Sequence, residues 1–172
     1  MKTKLSEIAN LAEVIAAIAI VISLFFVGIQ LRDNTKATKS ASAIAASSET
    51  AQWYAQLGFD GGNAVLFRDF ITDPDTVTPE EQYRAIMMLH SINLIFQNNY
   101  YLVKAGTLDP RIQDSITRSI IIIKDSLGWK YYWQQRRSIF LPEYQNYVDE
   151  LVGSNLSQDA TSLYQNGEEK KN

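Results

Sequence analysis

Val14 to Leu31 reads VIAAIAIVISLFFVGIQL, eighteen residues without a formal charge between Glu13 and Arg32. As a helix the run is about 27 Å long, close to the hydrocarbon thickness of a bilayer. Only a helix or a closed barrel can cross lipid, because each backbone amide must find its partner inside the protein. The run therefore predicts one membrane-spanning helix, placed at 11–32 after a short N-terminal segment 1–10. Ser23, Gly28 and Gln30 soften the apolar signal without contradicting it. A serine bonds back to its own helix, glycine is common in membrane helices, and Gln30 sits at headgroup level.

Three other readings of the run compete, one of them a helix that self-associates in detergent-like assemblies. A cleaved leader has a shorter apolar core and a small-residue cleavage site just beyond it. Here the nearest such site, Ser40-Ala41-Ser42-Ala43, follows Arg32, Asp33, Lys36 and Lys39. A buried central helix of a soluble bundle is also apolar all round, but five turns with no charge favour the span. Lys2 and Lys4 precede the run, and Arg32, Lys36 and Lys39 follow it. Three cations against two point to a translocated N-terminus and a cytoplasmic C-terminal domain. The absence of cysteine suits either side, since only disulfides mark an oxidising compartment.

Ala9, Ala12, Ala16, Ala19 and Ser23 recur at spacings of three and four. Small side chains let backbones approach closely, which is how helices associate where lipid removes the hydrophobic drive. The stripe is a candidate helix-association face, for a homo-oligomer or a membrane partner protein. An alanine-rich segment also produces such a stripe by composition alone.

The remainder reads as helices separated by sharp punctuation. Residues 33–57, rich in Ala, Ser and Thr with no Pro or Gly, predict a helical stalk continuing out of the membrane. Its weakly apolar face is Ala37, Ala41, Ile44, Ala51 and Tyr54. Gly58 and Asp60-Gly61-Gly62-Asn63 break it, and a short helix 64–72 follows with Val65, Leu66, Phe67 and Phe70 to bury. Thr78-Pro79-Glu80-Glu81 combines a capping threonine, proline in the first turn and a glutamate three residues on. The helix it opens runs to about Ala105. Asp109-Pro110 repeats the signal for a helix expected to end at Gly128, with Ile112, Ile116, Ile123 and Leu127 on one face. Helices over 129–137 and from Leu141-Pro142 to Gly153 complete a bundle domain, 58–153. The polar tail 154–172, ending GEEKKN, has little to bury and is expected to be disordered. The fold class is all-α: a spanning helix, a stalk, and an antiparallel bundle of about four to five helices.

Chemistry is mostly excluded. Without cysteine there is no thiol catalysis and no thiolate metal site, and His90 as the only histidine rules out any two-histidine motif. No Gly-x-Ser-x-Gly elbow and no phosphate-binding loop is present. Asp69, Asp73, Asp75, Glu80 and Glu81 cluster around a turn, where solvated caps explain them better than a divalent cation. No cofactor, no metal and no enzymatic activity is therefore expected. A net charge of −3 argues against nucleic acid.

Two groups remain as candidate sites. His90, Asn93 and Gln97 align on one side of an otherwise apolar helix, with Tyr83, Met87, Leu94 and Tyr101 nearby. They suit a small-molecule pocket or a pH-sensitive contact, and equally a satisfied buried network. Trp129-Lys130-Tyr131-Tyr132-Trp133 with Arg136 and Arg137 alternates rings and cations. Trp129, Lys130, Trp133, Arg136 and Arg137 suit contact with anionic lipid; the simpler reading plugs the core with Trp129, Tyr132 and Trp133.

Three stretches carry a resemblance. LSEIANLAEVIAAIAIVISLFFVGIQLRDNTKA, DPDTVTPEEQYRAIMMLHSINLIFQNNYYLVKAGTLD and GWKYYWQQRRSIFLPEYQNYVDELV together resemble a family of small, uncharacterised bacterial single-pass membrane proteins with a C-terminal helical domain. The resemblance implies an inner-membrane location and the anchored helical architecture, and it supplies no chemistry. The expectation is a non-catalytic, membrane-anchored module for interaction or self-association, whose partners are the bilayer and a second copy or a membrane protein. The alternative is a tethered bundle that senses a small molecule.

Overall fold

The computed structural model describes the backbone of residues 2–155 and the side chains of residues 10–155. Met1, the side chains of residues 2–9 with that of Ala9, and residues 156–172 of the tail lie outside the described residues. Every element is helical: α1 Lys2–Phe59, α2 Gly61–Thr72, α3 Pro79–Lys104, α4 Pro110–Ile123, α5 Leu127–Arg136 and α6 Pro142–Gly153. Short 3₁₀ turns, Pro74–Thr76 and Arg137–Ile139, precede α3 and follow α5.

The chain divides into two compact units between Ala41 and Ser42. In the first, α1 is a lone helix whose described side chains are all exposed. In the second, the last turns of α1 and the five shorter helices enclose one core. The division falls inside the expected stalk, so its second half is an element of the bundle. Its buried face also differs from the expected one. Ala46, Thr50 and Trp53 are buried, whereas Ile44 and Tyr54 are exposed. The indole decides this. Trp53 Nε1 donates to the Met88 carbonyl at 3.0 Å and its ring meets Phe67 edge-on, burial that no alanine on the other face could match.

Start and stop signals act as their chemistry requires. Asp60 caps α2 through the amides of Gly62 and Asn63. At α3, Thr78 accepts from the Glu81 amide while the Glu81 carboxylate accepts from the Thr78 amide, so two orphan donors are satisfied reciprocally. The helix ends at Gly106, whose φ of 71° is the left-handed conformation. That turn lets the Gly106 amide reach the Val103 carbonyl and the Thr107 amide reach Leu102.

The boundary between the two expected helices falls earlier than Gly128. The run from Pro110 breaks after Ile123, and Ser126 starts α5 by accepting from the Trp129 amide. The break turns Trp129, Tyr132 and Trp133 inward beside Phe70, Leu89, Ile120, Tyr144 and Val148. It also leaves Leu127 exposed and turns Gln113, Thr117, Ile120 and Lys124 of α4 inward, with Ile116 and Ile123 at the core's edge. Gly128 is therefore no terminator. It lies inside α5 where the backbone of α2 crosses, and a Cβ there would stand 2.2 Å from the Phe70 carbonyl oxygen.

Gly128→Ala is accordingly expected to destabilise the bundle by about 1–3 kcal/mol, because backbone atoms cannot step aside. Gly153→Ala, where a Cβ meets nothing within 4 Å, is the control expected to melt like the wild type. Thermal unfolding of the two variants checks this.

Candidate functional site

The apolar run of α1 meets the length and composition of a membrane span, and none of its most apolar window is buried. Twelve large apolar side chains between Val14 and Leu31 are each 37–74% exposed. Such a surface costs about 25 cal/mol for each Å² of apolar area left in water. Ala12, Ala16, Ala19 and Ser23 lie exposed on this helix.

The polar trio of α3 has a structural occupation. Asn93 is fully buried; its Nδ2 donates to the Leu89 carbonyl at 2.8 Å and its Oδ1 accepts from the Tyr144 hydroxyl at 3.3 Å. Gln97 Oε1 accepts from the Leu141 amide at 2.9 Å, which holds the start of α6, where no side chain caps the helix. The His90 ring lies 5.2 Å from that of Phe140. The three residues thus converge on the segment 140–144 and hold it against α3. Burial, reinforced by the Arg136 charge, lowers the His90 pKa below the usual 6.5.

The aromatic–basic helix splits by burial. Trp129 and Trp133 are 1% and 7% exposed, so both rings lie in the core, as the simpler reading has it, and not at a lipid surface. They stack on each other, and Trp133 stacks on Phe140. Burial raises the Tyr132 phenol far above its usual range. Lys130 is exposed and Arg136 half-buried. Arg137 is drawn into a network: its guanidinium grips both oxygens of Asp149 and reaches Gln145 Oε1 at 2.6 Å. Trp133 Nε1 donates to the same carboxylate at 2.9 Å. Spacing gives no warning of this pairing, because Asp149 sits on α6 among ordinary surface residues.

Three of the five acidic residues in the cluster serve caps or pairs. Asp73 accepts from the Asp75 amide, Glu81 closes its capping box, and Asp69 pairs with Arg68. Among the described residues no group of three or more metal-ligating side chains is placed to hold an ion. An open groove of about 470 Å³ is lined by Ser47, Asp109, Arg111, Ile112, Ser115 and Ile116. Its charged rim is the Arg111–Asp109 pair, closed at 2.7 Å.

No protein-family model, no curated protein and no solved structure matches the chain.

Two pH dependences follow. Hydrogen bonds from Arg137, with a further one from Trp133, hold the Asp149 carboxyl below its ordinary 3.8. Their stabilisation is present above 3.8 and lost as pH falls through the lowered value. Asp149→Asn should therefore melt earlier than wild type at neutral pH, the gap closing in strong acid. His90 has the opposite origin: the fold disfavours its charge, so stability falls as pH drops below 6.5. Melting curves of His90→Gln should lack the acid-side decline that wild type shows between about pH 7 and 5.

Proposed function

We propose that this chain is a non-catalytic, single-pass inner-membrane protein whose helical domain is held at the membrane to associate with a second copy or a membrane partner. One observation carries the reading: an uncharged helix of membrane length, exposed on every side, adjoins a bundle that buries its own core. A soluble role gives that surface no cover. The cations after the run favour a cytoplasmic bundle. The small-molecule alternative is the weaker reading, because Asn93 and Gln97 already bond to Tyr144 and Leu141.

The association face is Ala9, Ala12, Ala16, Ala19 and Ser23. The chain has no cysteine, so single substitutions report contacts cleanly. Ala16→Cys and Ala19→Cys are expected to form disulfide-linked dimers on mild oxidation in native membranes, and Val21→Cys, on the opposite face, is not. Equal yields at all three positions, or no dimer at any, together with no membrane protein captured through Ala16 by a cysteine-borne crosslinker, would contradict the reading.

A further inference from the structure

The helix leaves its apolar run through a one-sided band of positive charge. Arg32, Lys36 and Lys39 are spaced four and three apart, which places them within about 60° of arc on one face of α1. All three are exposed. The only acidic residue close by, Asp33, lies about a quarter-turn away, and its contact with Arg32 is long, at 3.4 Å. No further carboxylate follows on α1 until Glu49. Thr35 and Thr38 spend their hydroxyls on the Leu31 and Asn34 carbonyls, so the helix stays unbroken here. The band spans about 10 Å along the axis, starting one residue after the run ends.

We infer that Arg32, Lys36 and Lys39 form a binding strip for the phosphates of anionic phospholipid headgroups in the leaflet where α1 emerges. The inference rests on the reading of 14–31 as a span. Several observations favour lipid over another occupant. The strip begins at the depth where headgroups begin, and phosphate is the group that complements it in charge. Lysine and arginine also reach back toward the interface on long apolar stems. A single face selects lipids on one side of the helix and leaves the alanine stripe's neighbours clear. By the same spacing Ala16 and Ser23 lie about 160–180° from Arg32 around the axis. Headgroup binding would thus fix the rotation of α1 and decide which face meets a second protein.

The test uses the full chain reconstituted in phosphatidylcholine vesicles doped with phosphatidylglycerol. Spin-labelled forms of each lipid report which is immobilised at the protein surface. Each basic residue near an anionic surface is worth about fivefold in affinity, so wild type should prefer phosphatidylglycerol by about fivefold or more. The triple variant Arg32→Gln, Lys36→Gln, Lys39→Gln should bring the preference close to one, and high salt should do the same to wild type. Arg118→Gln, at an exposed cation of α4, should leave it unchanged. A chain that resists alkaline extraction yet shows no preference overturns the inference alone. So does a preference that survives the triple variant, or one that inorganic phosphate abolishes while chloride of equal ionic strength does not. A chain that alkali strips from the vesicles overturns the span, and the inference with it.

Discussion

The organisation of this protein depends on where the apolar surface of α1 finds a solvent it tolerates. Within Val14–Leu31 the backbone is satisfied along the helix, so the main chain makes no polar demand on its surroundings. What remains outside is hydrocarbon on all sides, including Phe25 at 74% exposed and Leu24 at 65%. Water is the wrong solvent for that surface, and no neighbouring helix covers it among the described residues. Lipid removes the difficulty without adding a contact.

The second unit solves a different problem by ordinary means. Helices of ten to twenty-six residues cannot stand alone in water, and each buries one stripe against its neighbours. α3 is the strut, giving Ala85, Ile86, Leu89, Ile92 and Phe96 to the core while Met88, Asn93 and Gln97 accept the ends of other elements. Aromatic rings fill the space between α5, α6 and α3, and close backbone contact at Gly128 lets α2 settle on α5. Two polar groups of α3 serve the assembly of this unit: Asn93 and Gln97 act as clasps on the start of α6.

Legibility followed the range of the interactions involved. Local signals were readable: the Thr78–Glu81 capping box and the Asp109-Pro110 start act within one or two turns, and the uncharged run is continuous in sequence. Signals that need a distant partner were not. Alanine spacing suggested one face of the stalk, but the buried face is set by Trp53 finding a carbonyl thirty-five residues away. The isoleucine run and Gly128 drew the expected boundary past the break, although Asp125-Ser126 is a cap signal in its own right; the burial of three aromatic rings fixes the turn there. Gly128 carried a true signal of the wrong kind. A glycine can mark a helix end or a close crossing, and only the position of α2 distinguishes them. Trp129 and Trp133 likewise suit an interface or a core in isolation. Burial settled them inside.

Membrane integration is the claim on which the remaining account rests, and alkaline extraction of membranes from cells producing the full chain tests it most directly. The account predicts that the protein stays in the membrane pellet, and that placing two lysines within Val14–Leu31 releases it as a soluble, folded bundle. Wild-type protein recovered in the soluble fraction, at its full length, would contradict the account: the run would then be covered by protein and not by lipid.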